Sequence, residues 1–522
     1  MANSTLFQSR PGQLAPNADT RNEAGGTAYT LPPRQALAQF AATGCLNGTY
    51  YASAQTQLDQ ILALCENVPA DFIARTAVHC RERGFMKDVP ALLCAILAVR
   101  DGDLLVRIFD RVIDDARMLR NFVQIIRSGA VGRKSLGTRP QRLVRGWFES
   151  RADEVVFRSS VGTAPSLADI VKMTHPHPAT RSREALYGYL IGRPHDTAAL
   201  PRLVREFETW KSADGGPLPD VPFQMLTARS LNADQWRQIA RRASWQTTRM
   251  NLNTFARHGV YSCPKAVRII ADRLRSEHLV RRAKVFPYQL MAAFWNIGDA
   301  VPPEIREALQ DAMEISVSNV PRVRGQVVVA PDVSGSMHSP VTGYRKGSSS
   351  TVRCIDVAAL VAAAILRQNP QASVLPFESR VVNVRLNPRD SVMSNAAALA
   401  SLPTGGTNCS AVLAHLNARK ARADLVIYVS DNESWMDTPW HGRFGGSPTA
   451  TMAEWSVFKQ RNPAARMVCI DIQPHATTQA LGRDDILNIG GFSDTVFNVI
   501  ASFAEGGVGA VHWTNEIENT EF

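Results

Sequence analysis

Five hard oxygen donors stand in order along the second half of this chain. Asp332-Val-Ser-Gly-Ser336 follows the apolar run 327–330, Thr407 lies in Thr404-Gly-Gly-Thr-Asn408, and Asp431 follows the apolar run 425–429. Asp332, Ser334 and Ser336 are spaced two residues apart, so one loop can present all three on the same side. Mg²⁺ takes about six oxygens near octahedral geometry and keeps some of its water. Asp332 supplies charge, and Ser334 and Ser336 coordinate directly. Thr407 reaches in from a second loop next to Gly405 and Gly406. Asp431 completes the set, directly or through water, with Asn432 and Glu433 beside it as support. The two carboxylates leave room for a third from an outside partner. Asp and Ser are also common where a strand turns into a helix. The ordered set behind two apolar runs, rather than any single member, points to Mg²⁺ or another divalent cation.

The elements that must hold these residues alternate. Apolar, strand-like runs at 327–330, 373–377, 425–429 and 467–472 are interleaved with helical patterns at 357–368, 395–402, 410–420, 452–460 and 494–503. Such alternation predicts a parallel, doubly wound α/β sheet with helices on both faces. Ligands of such sheets bind at the carboxyl ends of the strands, where Asp332 and Asp431 fall. The style changes near 320. Upstream, from about 34, the pattern is helical throughout. Leu58, Ile61, Leu62 and Cys65 keep the spacing of one buried helix face, as do Leu105, Ile108, Phe109 and Val112, and 91–99 is apolar enough for an inner helix. Breaks at Asn67-Val-Pro, Gly84, Asp101-Gly-Asp, Ser128-Gly, Gly192-Arg-Pro and Gly215-Gly-Pro divide this region into short antiparallel helices, an α-solenoid of divergent repeats. The expected domains are an N-terminal arm at 1–33, a helical domain at 34–320, an α/β domain at 321–505 and a tail at 506–522.

The 522 residues exceed what one core usually serves. Charge divides with the domains: 321–522 carries 17 Lys+Arg and 17 Asp+Glu, and 1–320 carries 41 and 30, so the net +11 lies wholly in the first part. Most of the basic residues are Arg, which suits phosphate forks and base stacking. An Arg-favouring genome and a polyanion partner explain that excess equally well. None of the eight cysteines forms a CxxC pair, so they read as reduced core thiols of a cytosolic protein. No apolar stretch is long enough to span a membrane, and the N-terminus lacks a signal-like apolar core.

Three basic stretches lie in the helical region. Gly132-Arg-Lys-Ser-Leu-Gly137 leads to Arg139, Arg142 and Arg145. Lys172-Met-Thr-His-Pro-His-Pro178 leads to Arg181 and Arg183. Arg241, Arg242 and Arg249 surround Trp245, with Arg281-Arg-Ala-Lys284 beyond. Cations interleaved with Trp and His hold phosphates and stack bases. Taken singly, each stretch is more often a solvated helix face, and His175 with His177 lacks the further ligands of a zinc site.

Two resemblances follow from these residues. Asp332-x-Ser334-x-Ser336, Thr407 and Asp431 on alternating strands and helices resemble the metal-ion-dependent adhesion site of von Willebrand factor A domains, over about 321–505. Gly44…Gly48-Thr-Tyr-Tyr51, the 132–137 loop, 172–178 and 281–287 resemble the TROVE module. The two in succession are the architecture of the Ro 60 kDa autoantigen family, and the likeness is to its bacterial members. It implies a HEAT-like helical ring closed by the A domain. It also implies a non-catalytic, cytoplasmic RNA-binding protein, monomeric within a ribonucleoprotein. Y RNA-like small RNAs would bind the basic outer surface. Single-stranded 3′ ends of misfolded non-coding RNA would enter the hole, in RNA quality control and stress response, in some cases beside an exoribonuclease. By the same resemblance Arg133 and Lys134 fall on the RNA-facing loop and His175 on the RNA surface, flanked by Lys172 and Thr174, with Arg139, Arg181 and Arg183 in the same basic set. The His175-Pro-His-Pro sequence departs from the family pattern and reshapes that loop.

The alternative class is a metal-dependent protein-binding scaffold acting through the A domain. An enzyme is disfavoured: there is no Walker A loop, GxSxG, HExxH or dinucleotide fingerprint. His338 is the nearest base to Ser334 and lies beside a Gly/Ser-rich segment.

Overall fold

The computed structural model describes residues 15–522 except 163–164, 214–215, 228, 284–286, 318–319, 321, 345–351, 437–446, 492–493 and 506–511. The Gly/Ser-rich segment at 345–351, part of the 281–287 stretch and residues 506–511 of the tail lie outside the described residues. The chain forms two compact units. One comprises Met1–Val68, Lys284–Asn296 and Gln310–Asn519, and the other Pro69–Ala283, Ile297–Leu309 and Thr520–Phe522.

The first unit is built on a parallel sheet. The strands of the chain are β1 (Thr20–Arg21), β2 (Thr27–Thr30), β3 (Val327–Pro331), β4 (Ser373–Val374), β5 (Leu425–Ser430), β6 (Arg466–Asp471), β7 (Thr477–Thr478) and β8 (Ile486–Gly490). Five of them form one sheet in the order β4-β3-β5-β6-β8, every pair parallel. All six residues of β5 are buried, as expected of a strand covered on both faces. The helix Cys354–Gln368 packs against β3 and β5 and is buried from Cys354 through Leu366, so it belongs to the core rather than to an amphipathic surface. The run expected as a strand over 373–377 pairs only at Ser373–Val374; Phe377 then makes a single bridge to Asp332. β8, which sequence periodicity did not pick out, closes the far edge of the sheet.

The segment expected to be a free arm belongs to this unit. β1 and β2 form an antiparallel hairpin, and β2 pairs with β7. Tyr29 packs with Val328, Tyr428 and Met467 in one hydrophobic core, and its hydroxyl donates to Pro16 O at 2.7 Å. Met1–Val68 thus groups with the unit that holds the parallel sheet. Burial of Tyr29 and Ala28 fixes the hairpin more strongly than its polar composition suggests.

The second unit is helical, and among its described residues there is no strand. Helices Ala70–Glu82, Asp88–Arg100, Gly102–Val112, Ala116–Ser128, Thr138–Glu149, Leu167–Thr174 and Arg181–Ile191 pack largely on near neighbours in sequence, the arrangement of helical repeats. Leu105, Ile108, Phe109 and Val112 are all buried, and Asp88–Arg100 is an inner helix, as their spacing predicts. Gly129, at φ 87°, caps Ala116–Ser128 in the left-handed region.

Arg183 lies inside this unit, 8% exposed. Its guanidinium pairs with Asp153 and donates to Phe148 O and Arg151 O. It therefore ties the helix Arg181–Ile191 to the ends of two earlier helices. Replacing it with Met leaves two carbonyls unserved and the Asp153 carboxylate with the Ser182 hydroxyl but no counter-charge; removing one partner of a buried pair costs about 3–5 kcal/mol. Arg183→Met is expected to lower the urea stability of the helical unit by that order, whereas Arg181→Met, at an exposed position, leaves it within about 0.5 kcal/mol.

Candidate metal centre and nucleic-acid interface

Two loops leave the carboxyl ends of adjacent parallel strands. Asp332 follows β3 and Asp431 follows β5. The Asp332 amide donates to Val429 O at 2.9 Å, and the Val333 amide to Phe377 O at 2.8 Å. The loop from 404 to 407 is fastened to both sides. Gly335 N–H donates to Gly405 O at 3.0 Å, and the Trp435 and Met436 amides donate to Thr407 O at 3.2 and 3.1 Å. Gly406 has no room for a side chain, because a Cβ there would meet Met436 at 2.8 Å. All five candidate ligands are brought to this junction and are buried: Asp332, Ser334, Ser336, Thr407 and Asp431 are each at most 3% exposed.

The first loop is pre-shaped. Asp332 Oδ1 accepts from the Ser334 amide at 2.8 Å and Oδ2 from the Ser430 hydroxyl at 2.6 Å. Ser334 and Ser336 hydroxyls stand 3.3 Å apart. The Glu433 amide donates to Asp431 Oδ1 at 3.4 Å. Asp431 Oδ2 is buried and has no hydrogen-bond partner among the described residues. Burial, and then the Asp431 charge, push the Asp332 carboxyl up to about 7. Asp431 is also raised, chiefly by burial. Two buried carboxylates that resist ionisation, one with an orphaned oxygen, beside three hydroxyls, form a donor set that fits a hard divalent cation. Among the described residues no three His, Cys, Asp or Glu side chains gather to hold a metal by themselves. A cation here would therefore depend on the Ser and Thr hydroxyls.

Several residues around this junction escaped the sequence pattern. Ser430 directly precedes Asp431. Asp471 occupies the equivalent end position on β6, paired in register with Ser430, and the strand-end rule that found Asp431 would have found it too. It meets His475 Nε2 at 3.3 Å. Burial works against His475 protonation, but Asp471, Glu433 and Glu23 outweigh it and raise the imidazole to about 9. Burial pushes Glu433 up to about 8. The hairpin strap completes the surroundings: the Ala24 amide donates to Glu433 Oε2 at 2.9 Å, and Asn22 Nδ2 donates to Ser434 O at 2.7 Å. The half-buried Tyr51 also approaches this junction: burial, and then the Asp431 charge, raise its phenol. No local motif announces Glu23 or Tyr51, because both arrive from more than 280 residues away in sequence.

In the helical unit the basic candidates separate into two kinds. Lys134, Arg139, Lys172, His175 and Arg181 are exposed. Lys134 lays its stem over Gly129, and Arg139 pairs loosely with the exposed Asp103 at 3.2 Å. His175 caps the helix Leu167–Thr174 in the left-handed region, at φ 47°. Arg145 and Gln141, on the helix Thr138–Glu149, both donate to Thr174 O, so the 132–145 and 172–175 stretches adjoin. Three other candidates are engaged inside the protein. Arg133 holds its own loop through Ser135 O at 2.8 Å and Ala98 O at 3.1 Å. The buried Thr174 hydroxyl donates to Ile170 O at 2.8 Å. Arg183 is the interior tie described above. The expectation that Thr174 and Arg183 lie on the surface is thus corrected: sequence shows residue type but not which way a helical side chain points. Of the third stretch, the Trp245 indole is buried and donates to Leu274 O at 3.0 Å, a core role.

Residues 326–504 match the model of the Ro60 vWA domain family. The chain is 23% identical over 525 residues to the RNA-binding protein RO60 of Deinococcus radiodurans, covering 94% of this chain and 96% of that protein. The crystal structure of the Deinococcus radiodurans RO (RSR) protein superposes with a TM-score of 0.62 at 21% identity, covering 91% of this chain and all of that one. A helical-repeat region joined to a parallel-sheet A domain is common to both. Residues 326–504 thus carry the likeness to the Ro60 vWA domain family, and over nearly its full length the chain is similar in sequence and fold to a bacterial Ro protein.

Proposed function

We propose that this chain is a Ro-type RNA-binding protein without catalytic activity of its own, and that it binds small RNA on the exposed basic face around Lys134, Arg139, Lys172, His175 and Arg181. The observation that carries the reading is this group of exposed cations on adjoining helix ends, in the part of the chain that holds all the net positive charge. Phosphates bind such a face through charge and release of counterions, and structured RNA is read mainly by backbone and shape. The likeness to a protein named for RNA binding, over nearly the full length, points the same way. The finer reading is of Y RNA-like small RNAs and single-stranded ends of misfolded non-coding RNA, in a cytoplasmic ribonucleoprotein active in RNA quality control, with an exoribonuclease as a further partner. No helix among the described residues is long and apolar enough to cross a membrane.

In the same reading, Mg²⁺ or a similar cation is held by Asp332, Ser334, Ser336, Thr407 and Asp431. The cation would neutralise the buried carboxylates and offer remaining coordination positions to water or to a carboxylate of a protein partner. The orphaned Asp431 Oδ2 supports this second function beside RNA binding.

Two measurements test these readings. Changing Lys134, Arg139, Lys172 and Arg181 together to Gln should weaken binding of a small structured RNA on the order of a hundredfold in filter binding. The slope of log K against log salt should fall by about 3. Unchanged affinity and slope would remove the assignment. For the cation, the Asp332 carboxyl at about 7 lies above its ordinary 3.8. As pH rises from 4 the unfolded chain gives up that proton first, so the folded unit loses stability up to about pH 7 and bears the whole cost above it. His475 acts in the same sense between its ordinary 6.5 and about 9. A bound cation replaces the proton. Mg²⁺ at 100 times its Kd should therefore stabilise the unit at pH 8 by about 2.7 kcal/mol, on the order of 5–10 °C in Tm, and far less at pH 5. Asp332→Asn should abolish the Mg²⁺ response and flatten the carboxylate's share of the pH dependence. A Tm indifferent to Mg²⁺ at both pH values would argue against the site.

A further inference from the structure

The helix Arg202–Ser212, in the helical unit, has two unlike sides. Leu203, Val204, Phe207 and Trp210 are buried. Arg202, Arg205, Glu206 and Thr209, spaced three and four residues apart, are exposed along one face. That face lines a cavity of about 780 Å³, a size within the roughly 300–1,000 Å³ of small-molecule sites. A second wall is the stretch Pro217-Leu-Pro-Asp220, with Arg242 beside it at the end of the helix Ala233–Arg242. The walls are fastened without help from an occupant. Arg242 Nη1 donates to Leu218 O at 2.8 Å, and Arg158 Nε donates to Asp220 O at 2.8 Å. Arg229 Nη1 donates to Trp210 O and Lys211 O at 2.8 and 3.1 Å, which closes the end of the first helix.

Charge around the cavity is left unbalanced. Glu206 is paired with Arg202 at 2.6 Å, and Asp220 with Arg158 at 2.5 Å. Arg205 and Arg242 have no carboxylate partner among the described residues, and the Arg205 guanidinium has no hydrogen bond there either. Two positive charges therefore remain uncompensated. Trp210 lines the same space. It is 5% exposed, yet its indole N–H meets no acceptor among the described residues, although a buried indole ordinarily finds one. The ring is held from two sides, with Phe207 stacked at 6.1 Å and the Arg229 guanidinium over it at 5.6 Å. The donors left over thus call for an anion, while Pro217, Leu218 and Pro219 offer it an apolar wall.

The charge count selects the kind of anion. A phosphate monoester carries about −1.5 to −2 at pH 7 and three strong acceptor oxygens, which suits two guanidiniums and an indole N–H. A polynucleotide brings about one charge per nucleotide and is followed by a groove of cations along its backbone. We propose that this cavity binds a free nucleoside monophosphate: Arg205 and Arg242 take the phosphate, Trp210 and Thr209 donate to its oxygens, and the base lies against Pro217, Leu218 and Pro219. The site stands on other helices than the proposed RNA face and does not depend on that reading.

The experiment titrates AMP, adenosine, ribose 5-phosphate and a short oligoribonucleotide without terminal phosphates into the full chain by calorimetry. AMP is expected to bind one to one, with adenosine and ribose 5-phosphate each at least about tenfold weaker, since each lacks one half of the contacts. Arg205→Gln removes an exposed guanidinium that serves no protein group, so Tm should not change while AMP binds about tenfold more weakly, the loss of one charge-assisted contact. Trp210→Phe keeps the stacking on Phe207 and removes the N–H, and should weaken AMP about fivefold. Four results would each overturn the assignment: equal affinity for AMP and adenosine, AMP binding indifferent to Arg205→Gln, binding of the oligoribonucleotide alone, or wild-type protein that binds no AMP.

Discussion

Two carboxylates from adjacent parallel strands are buried almost completely at one junction, and most of the first unit can be understood as a response to that. An isolated ionised carboxylate away from water is costly. Here the cost is met locally by shaped loops. Ser430 and the Ser334 amide serve the two oxygens of Asp332, and the Glu433 amide faces Asp431. The interlocking of the 332–336, 404–407 and 431–436 loops exists to bring such groups to bear. Its result is still incomplete, since Asp431 Oδ2 has no partner among the described residues and both carboxyls are pushed toward the protonated form. The divalent cation proposed above would complete that donor set.

The same electrostatic demand extends outward. Glu23, Glu433, Asp471 and His475 form a second buried polar layer beside the first, in which the carboxyls raise the imidazole against the effect of its burial. The N-terminal hairpin is part of this layer. Its backbone supplies a donor to Glu433, its side chains reach Ser434 O, and its β2 strand pairs with β7. The strap therefore serves two ends at once, burying Tyr29 in the hydrophobic core and screening the polar junction from water. Low dielectric strengthens each hydrogen bond in such a network and makes any unpaired group more costly.

The helical unit follows a different logic. Its arginines fall into interior ties and exposed cations. Arg183, Arg133 and Arg145 serve carbonyls and a carboxylate, fastening one helix end to the next. Arg's several donors suit such multi-point ties better than the single ammonium of Lys. Lys134, Lys172, Arg139 and Arg181 remain exposed at the surface, Arg139 and Arg181 beside Asp103 and Asp196. An excess of arginine in the sequence thus mixes two populations, interior ties and exposed cations, and only the second is available to the proposed RNA face.

Sequence alone determined the change from helical to alternating β/α organisation near 320, the β3, β5 and β6 strands, and the five oxygen donors at their carboxyl ends. These features are local: a run of apolar residues, a two-residue spacing, a pair of glycines. It also carried the resemblance to the Ro architecture. Tertiary structure decided the rest. It placed the N-terminal residues with the sheet, because the pairing of β2 with β7 is a contact across more than 400 residues. It added β8, whose Ile-Leu-Asn-Ile-Gly run is too short to stand out by period. It brought Tyr51 and Glu23 to the junction of the two buried carboxylates and turned Arg183 and Thr174 inward. Side-chain direction and long-range proximity depend on how elements pack, and packing energies are summed over the whole chain, so no window of sequence contains them.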